Sequence, residues 1–256
     1  MLLKGLRVVL VNTRFPENIG MAVRACANMG CDDLKLVTPE RWLPEKAAPL
    51  ATPKGMNLLS RVEEKGSLLE AVGDCQCVIA TTARTGGWRR AVLSPEQAAE
   101  KLVSSLERGE KACLVFGSED RGLENSDIER CQHIVTIPTS GEASSLNLAQ
   151  SVLLMLYECA RRKRAGMQGQ EQGQAEHTEK KEEQARQESH ITLADNERLM
   201  SSLEEALLRL DVLHGSNPSY FLMPWRRLFA RAGLRRHEYD AIMGLCRQIL
   251  ARVPKK

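Results

Sequence analysis

Residues 6–30 read LRVVLVNTRFPENIGMAVRACANMG, and the architecture of the chain follows from this stretch. Its first part, Arg7–Val11, is a short run of aliphatic and mostly β-branched residues, which is typical of a buried strand. Its later part, Ile19–Met29, spaces its apolar residues at helical intervals. A strand followed by a helix is the repeating unit of an α/β fold. The stretch therefore predicts that the chain begins with such a unit.

The same alternation continues to about residue 164. Four further apolar runs are predicted strands, at Leu34–Val37, Cys77–Ala80, Ala112–Phe116 and His133–Ile137. Helical spacing occurs at Leu68–Val72, Pro95–Leu106 and Asn125–Cys131, and a long apolar helix follows at Leu146–Ala160. Strands that alternate with helices predict a mostly parallel sheet covered on both faces. We therefore expect residues 1–164 to form one α/β domain.

The composition changes after this domain. Residues 165–190 are rich in Gly, Gln, Glu and Lys and offer almost no apolar side chains to bury, which is typical of a flexible linker. In residues 191–256 the leucines of LMSSLEEALLRLDVL repeat at helical spacing, and RRLFARAGL and YDAIMGLCRQILARV resume the pattern after a break at Asn217-Pro218. The sequence predicts a small all-helical domain there.

Composition narrows the possible functions. The formal net charge of +3, from 36 basic and 33 acidic residues, is too small to indicate a polyanionic partner. Only 4% of the residues are aromatic, so nothing suggests a surface of exposed rings that stacks on single-stranded bases. The eight cysteines lack the spacing of a structural zinc site, and we interpret them as reduced thiols. With no signal-peptide pattern and no apolar run of membrane-spanning length, we expect a cytoplasmic protein.

Three polar clusters follow predicted strands, where open α/β sheets bind their ligands. In the first, RFPENIGMAVRACANMG, Asn18 and Gly20 mark a predicted tight turn into the helix. Arg24 lies one helical turn beyond Gly20, where it can meet a phosphate or a hydroxyl. The simpler interpretation is that Asn18 caps the helix and Arg24 is a solvated arginine.

The second cluster, LVFGSEDRGL, places Gly117 and Gly122 on either side of Ser-Glu-Asp-Arg. Glycine allows the backbone to approach a ligand closely, and charged residues are costly to keep in a crevice without a purpose. An exposed loop with two turn glycines is the alternative.

The third cluster, IPTSGEASSLNLAQSV, leaves the last strand through Pro138 and enters a helix at about Leu146. Ser144 or Ser145 could merely cap that helix. Asn147 in its first turn is less easily explained in this way, because an amide there can fix a loop or a bound ligand.

In this order and at these spacings, the three clusters resemble the SpoU-like, or TrmH-like, class of the SPOUT superfamily of RNA 2′-O-methyltransferases. The segments LEEALLRL, RRLFARAGL and GLCRQI are similar to the helical extension of the TrmJ-type tRNA (cytidine/uridine-2′-O-)-methyltransferases. The resemblance implies a trefoil knot in the first domain, S-adenosylmethionine as the methyl donor, and a homodimer. It also implies tRNA as the substrate, with the cytidine or uridine at position 32 of the anticodon loop as the target.

The resemblance also implies roles for particular residues. Those expected to contact the cofactor are Thr81, Thr82, Ala83, Gly117, Ile137, Ser144, Ser145 and Leu146. In similar enzymes the residue matching Arg24 activates the ribose 2′-hydroxyl, and the residues expected to hold the geometry are Asn18, Glu119, Ser145 and Asn147. An arginine is almost always protonated and is a poor base. We therefore favour a role in which Arg24 orients the adjacent phosphate and lowers the pKa of the hydroxyl by its charge.

The tail from Pro224 onward is basic. Its basic side chains, set against only Glu238 and Asp240, are Arg226, Arg227, Arg231, Arg235, Arg236, Arg247, Arg252, Lys255 and Lys256. Such a face suits an RNA backbone, and residues 161–164 could add to it. The solvated surface of a helical dimerisation domain is the alternative.

Two other functions stay open at this point. The chain could methylate ribosomal RNA or another tRNA position, or it could be a catalytically silent RNA-binding protein on the same fold. The presence of Arg24, Glu119 and Asn147 together favours activity.

Overall fold

The protein was studied as a computed structural model, which describes residues 1–83, 92–140, 145–170, 189–213 and 218–253. Its contacts divide the chain into two compact units, Met1–Ala175 and Glu176–Lys256. No helix in the described ranges combines the length and the apolarity needed to cross a membrane.

The first unit is an α/β structure. Its strands are β1 (Leu6–Val11), β2 (Asp33–Val37), β3 (Glu63–Lys65), β4 (Cys77–Thr81), β5 (Val92–Leu93), β6 (Ala112–Phe116) and β7 (His133–Val135). Its helices are α1 (Pro16–Met29), α2 (Pro44–Leu59), α3 (Leu68–Val72), α4 (Pro95–Glu107), α5 (Asn125–Arg130) and α6 (Leu148–Gln170). The strands pair in parallel in the order β3-β2-β1-β6-β4-β7-β5. The predicted parallel α/β fold is confirmed.

The direction in which the chain adds strands to the sheet reverses between β1 and β6. From β1 the chain moves outward to β2 on one side, whereas from β6 it passes over β4 to β7 on the other side. The loops that leave β1 and β6 therefore diverge at the carboxyl edge of the sheet, and such divergence is where open α/β sheets bind ligands. The first polar cluster begins in the loop after β1 and continues into α1, and the second lies at the end of β6 and in the loop that follows it.

The core explains why these elements form. Strands β1 and β6 are buried along their whole length, as the continuous aliphatic runs of central parallel strands predict. Helices α2, α1, α6 and α4 pack against one another in that order. Gly20 lies inside α1, not in a turn as expected, and a Cβ at this position would come within 2.2 Å of the Ala47 carbonyl oxygen. Its lack of a side chain allows α1 and α2 to touch.

One buried charge sits in the central strand. Arg7 is only 5% exposed, and its Nε donates to Asp33 at 2.7 Å. Its Nη1 donates to the Ala71 carbonyl at 2.8 Å and to Asp74 at 2.5 Å. Burial raises the pKa of Asp74, but hydrogen bonds from Arg7 and Lys111 outweigh this and hold it well below its ordinary value. A buried cation is tolerated here because its donors are satisfied.

Several predicted boundaries need correction. Helix α2 was not predicted because Pro49, Pro53 and the non-helical backbone of Thr52 interrupt its pattern. Strand β3 was missed because all three of its residues are charged, and β5 because it has only two residues. Helix α1 begins three residues earlier than expected, at Pro16, and β7 ends two residues earlier, at Val135. Helix α6 runs on to Gln170, so the first residues assigned to the linker are helical.

The second unit contains helices α7 (Leu193–Arg209), α8 (Pro218–Ala232) and α9 (Arg236–Arg252). They enclose a small core whose members are Ile191, Leu199, Met200, Leu213, Leu222, Phe229, Leu234 and Tyr239. The three helices and their spacing agree with the sequence pattern. Asn217 of the predicted break lies outside the described residues, as do Lys255 and Lys256.

Two arginines of the basic tail are neutralised by ion pairs that its sequence does not indicate. Arg226 forms an ion pair with Glu197, and Arg236 pairs with Asp195. Both acids belong to α7, which precedes Pro224, so the comparison of basic and acidic residues from Pro224 onward does not include them. Arg231, Arg247 and Arg252 are exposed and form no ion pair within the part of the chain that the structure describes.

The basic run at residues 161–164 is also largely neutralised. Arg161 pairs with Glu158, while Arg162 and Lys163 pair with acids of α4, Glu100 and Glu107. The expectation that this run adds to a basic RNA-binding field is therefore weakened. Only Arg164 is exposed there without an ion pair in the described residues.

Candidate active site

A cavity of about 450 Å³ opens at the carboxyl edge of the sheet. Its walls come from the ends of β4, β6 and β7 and from the segment that enters α6. The expected cofactor residues that line it are Thr81, Thr82, Ala83, Gly117, Ile137, Ser145 and Leu146. Ser144 lies outside the described residues. The cavity is within the volume range of small-molecule sites, roughly 300–1,000 Å³.

The loop after β6 folds back tightly on itself to form one wall. A Cβ on Gly117 would lie 2.1 Å from the carbonyl carbon of Gly122 and 2.2 Å from the backbone nitrogen of Leu123. Gly122 has a φ of +69°, in the left-handed region that glycine adopts most easily. Glycine at 117 is thus required by the loop itself. This is a further reason for glycine at 117, and the close approach of its backbone to a ligand stays a prediction.

Three of the expected catalytic residues form one chain of hydrogen bonds. Asn18 Nδ2 donates to Glu119 Oε1 at 2.7 Å, and Asn147 Nδ2 donates to Asn18 Oδ1 at 3.0 Å. Asn147 Oδ1 in turn accepts the backbone N–H groups of Ala149 and Gln150. The start of α1, the loop after β6 and the start of α6 are therefore linked through the side chains of these three residues.

These bonds settle two alternatives left open by the sequence. Asn18 is not a helix cap, because α1 begins at Pro16 and Asn18 is 5% exposed with its amide turned to Glu119. Asn147 performs the capping of α6 that the sequence allowed for Ser144 or Ser145. Its oxygen caps α6, while its nitrogen donates to Asn18 in α1.

Arg14 is a site residue that the sequence analysis missed. Its backbone N–H donates to Glu119 Oε2 at 3.0 Å, and its side chain reaches Asp120 at 2.8 Å and Glu40 at 3.1 Å. Glu40 follows β2, so one arginine joins the loops after β1, β2 and β6. The nearby carboxylates of Glu40 and Asp120 raise the pKa of Arg14. The acidic residues of the second cluster, Glu119 and Asp120, are the sequence feature that could have predicted an arginine beside them.

Further wall residues were also missed. Beyond the expected set, the cavity is lined by Phe116, Ser118, Glu119, Asp120, Arg121, Gly122, Leu123, Val135, Thr139, Leu148 and Ser151. Apolar side chains from strand ends meet carboxylates and hydroxyls in this set. Such a mixture suits a ligand with both an apolar ring system and charged groups.

Thr81 and Thr82 are committed to fixing their own loop. Thr81 Oγ1 donates to the Val115 carbonyl at 3.0 Å. The Thr82 backbone N–H donates to the Val135 carbonyl at 3.0 Å, and the Thr82 carbonyl accepts from Thr136 Oγ1 at 2.6 Å. The loop is thereby tied to both neighbouring strands, β6 and β7. These residues shape the wall more than they offer unpaired groups to a ligand.

Arg24 lies apart from the cavity. It is exposed on α1, six residues beyond Asn18, which corresponds to about 9 Å along the helix axis. It forms no hydrogen bond or ion pair within the described residues, and it is not among the residues lining the cavity. The structure of one chain does not bring Arg24 together with the other expected catalytic residues.

Comparisons with known proteins agree with this arrangement. A family model described as the SpoU rRNA Methylase family matches residues 5–157. Over 95% of its length the chain is 34% identical to the tRNA (cytidine/uridine/adenosine-2′-O-)-methyltransferase TrmJ of Pseudomonas aeruginosa, and it covers 93% of that protein. Over 97% of its length it is 31% identical to the tRNA (cytidine/uridine-2′-O-)-methyltransferase TrmJ of Klebsiella pneumoniae, covering 97% of it.

Solved structures give the same result. The crystal structure of TrmJ from Z. mobilis superposes with a TM-score of 0.76 at 30% identity, covering 95% of this chain and 98% of that one. A probable methylase family protein from Haemophilus influenzae superposes with a TM-score of 0.62 at 27% identity, covering 99% and 98%.

Proposed function

We propose that this chain, which belongs to the SpoU rRNA Methylase family, is an S-adenosylmethionine-dependent tRNA 2′-O-methyltransferase. The observation that carries the proposal is the bonded chain of Asn18, Glu119 and Asn147 beside a cavity of about 450 Å³. Relatives that match nearly the whole chain are named for methylation of cytidine and uridine in tRNA. We expect the same substrate class here, at position 32 of the anticodon loop, and a cytoplasmic location.

The cavity fits the cofactor in size and chemistry. S-adenosylmethionine supplies a methyl group carried on a sulfonium. Thr82 and Ala83, which follow β4, would form one side of the site for its ring system, and the loop that begins at Gly117 would form another. The ring system would pack against Phe116, Leu123 and Ile137. Carboxylates at the wall, from Glu119 and Asp120, suit a ligand with cationic groups. The trefoil knot of the SPOUT fold is part of this proposal and is supported by family membership.

The chain's own residues have to align a ribose 2′-hydroxyl and take up its proton. Glu119 uses one acceptor site on each oxygen for Asn18 and Arg14. A carboxylate offers about four such sites, so Glu119 keeps capacity for a hydroxyl hydrogen. Asn18 and Asn147 fix its orientation, and Ser145 lies at the cavity wall within the same segment. We propose Glu119 as the group that accepts the hydroxyl hydrogen bond.

The position of Arg24 favours a homodimer. Because Arg24 is exposed on α1 and does not line the cavity of its own chain, we propose that it meets the RNA phosphate beside the cavity of a second copy. Helices α1 and α6 pack together and expose Met21, Leu153, Leu154 and Tyr157, each 36% to 47% exposed. An apolar surface on these two helices suits contact between two copies. Sedimentation of the purified protein tests this: a monomer at micromolar concentration would contradict it.

Replacing Arg24 by Ala is expected to abolish methyl transfer and to leave cofactor affinity nearly unchanged. The reason is that Arg24 lies outside the cavity and acts, in this proposal, on the RNA. Turnover and calorimetric cofactor binding should be measured on one preparation. Turnover near the wild-type rate would remove Arg24 from the mechanism.

We propose that the second unit binds tRNA. Removing Ile191–Lys256 should weaken tRNA binding far more than cofactor binding. Each lost phosphate contact reduces the slope of log affinity against log salt by roughly one. A truncated protein with unchanged affinity and slope would show that the tail does not contact RNA.

The decisive experiment maps 2′-O-methylation across tRNA and ribosomal RNA from cells with and without this protein. The purified protein is then given S-adenosylmethionine and the unmodified RNA. Loss of one methyl group in tRNA, restored in the purified reaction, is the expected result. A lost methyl group in ribosomal RNA, or none at all, would overturn the proposed substrate.

A further inference from the structure

Helix α8 concentrates the aromatic residues of the chain. Four of the ten lie in it, namely Tyr220, Phe221, Trp225 and Phe229. Phe229 belongs to the core of the second unit, whereas Phe221 is 54% exposed and Trp225 is 44% exposed. The low aromatic fraction of the whole chain hides this local enrichment. The expectation that the protein lacks an exposed ring surface is therefore wrong for α8.

Two of the three exposed rings, Phe221 and Trp225, share one face of α8 with Leu228. Phe221, Trp225 and Leu228 follow one another at intervals of four and three residues, which places them side by side on a helix. The first two are separated by about 6 Å along the helix axis. All three are exposed, and we call them the ring face.

The charged residues of α8 itself are all positive. Arg231 lies one turn beyond Leu228, is exposed, and forms no ion pair within the described ranges. Arg226 is neutralised by its ion pair with Glu197. Helix α8 contains three arginines and no acidic residue. Exposed rings next to an unneutralised cation are the pairing that single-stranded nucleic acid binds, through base stacking and phosphate contact.

We propose that the ring face binds unpaired nucleotides of the RNA substrate, with bases stacked on Phe221 and Trp225 and a phosphate at Arg231. This inference rests on the proposed function and adds the contact through which the second unit holds RNA. A second copy packed on the same face would bring another Arg231 and no carboxylate from α8 to neutralise it. RNA supplies the missing negative charge, so charge complementarity favours RNA as the occupant.

Two substitutions of Trp225 separate stacking from simple apolar contact. Trp225→Phe keeps an aromatic ring, while Trp225→Leu keeps an apolar side chain without one. For the full-length protein and unmodified tRNA, we expect Trp225→Leu to raise Kd about 5- to 150-fold, the range of one lost stacking contact. Trp225→Phe should stay within about threefold of the wild type on the same scale.

The matched control is Leu245→Ala. Leu245 on α9 is 62% exposed, and its loss should leave tRNA affinity unchanged. At saturating tRNA the Trp225→Leu enzyme should recover the wild-type kcat, since the proposal assigns the ring face to RNA binding and not to methyl transfer. Equal tRNA affinity of the Leu variant, the Phe variant and the wild type would overturn the proposal.

Failure of this inference is distinguishable from failure of the proposed function. If the wild type methylates tRNA but Trp225→Leu binds it normally, the function stands and the ring face is not an RNA contact. If the wild type does not methylate tRNA, the proposed function itself fails. Sedimentation and thermal unfolding of the RNA-free variants form the last arm. A dissociated oligomer or a lowered Tm for Trp225→Leu alone would assign the ring face to protein packing and refute the RNA proposal.

Discussion

Replacing Glu119 by Gln tests the polar chain with almost no change of shape. Glu119 accepts two hydrogen bonds, from Asn18 Nδ2 at 2.7 Å and from the Arg14 backbone N–H at 3.0 Å. Glutamine has one amide oxygen and one NH₂ group. Whichever way the amide turns, its NH₂ group faces a donor, so one of the two bonds must break. A hydrogen bond to a charged group contributes about 1.5–3 kcal/mol.

The lost bond should affect activity more than stability. Asn18 is nearly buried, and its oxygen already accepts from Asn147. If its nitrogen loses Glu119, its amide can turn and release the link to Asn147. A misaligned hydroxyl acceptor then costs the reaction about 1.5–3 kcal/mol, which corresponds to a roughly 10- to 150-fold lower kcat. The Km for cofactor should change less, because the cavity walls remain.

Steady-state kinetics with tRNA measure kcat, and urea unfolding of the same preparation measures the free energy of unfolding. Glu124→Gln is the matched control, because Glu124 lies in the same connection and its carboxylate forms no hydrogen bond with the described residues. The control should keep the wild-type kcat. If a folded Glu119→Gln enzyme keeps a kcat within about twofold of the wild type, the lost hydrogen bond does not matter for catalysis, and the role assigned to Asn18, Glu119 and Asn147 is refuted.

Three further perturbations follow from the contacts. Gly117→Ala should abolish cofactor binding measured by calorimetry, because a Cβ would meet loop backbone at 2.1 Å; unchanged affinity in a folded variant would place the cofactor elsewhere. Arg14→Met and Asp120→Asn should each raise the Km for cofactor a few-fold, and the double variant should be no worse than Arg14→Met alone, because both changes remove the Arg14–Asp120 ion pair and Arg14→Met also removes the contact with Glu40; additive effects would contradict this. Asp74→Asn should destabilise the fold by about 1.5–3 kcal/mol at neutral pH. Since the folded pKa of Asp74 is depressed by Arg7, the difference in urea stability should shrink below about pH 4, and a pH-independent difference would contradict the pairing.

Local patterns predicted most of the sheet and its helices. Runs of aliphatic residues marked β1, β2, β4, β6 and β7, because central parallel strands bury both faces and need apolar side chains throughout. The same rule fails for β3, whose residues Glu63–Lys65 are all charged and form the edge of the sheet. It also fails for α2, where contact with α1 stabilises a helix that its prolines disfavour. Tertiary contact outweighs local preference at these positions.

The number of basic residues in the tail and the aromatic content of the whole chain did not predict which charges and rings are exposed. The tail arginines Arg226 and Arg236 lose their free charge to acids of α7, which precede them in the chain by about one helix and a connection. Conversely, exposed rings gather on α8 although the chain as a whole is poor in aromatics. Both results depend on which helix faces which, and helical spacing alone gives only the angle around each axis.

The polar chain shows where the sequence reaches its limit. The sequence predicts Asn18, Glu119 and Asn147 as separate contributors, one from each polar cluster. Asn18 lies 101 positions from Glu119 and 129 positions from Asn147, yet it is hydrogen-bonded to both. They meet because β6 inserts beside β1, an adjacency in the sheet that no local pattern encodes. Each donor or acceptor atom in the chain is fixed by the next. Substitutions at these three positions should therefore be strongly non-additive in kcat, since breaking any one bond releases the other two residues from the same alignment.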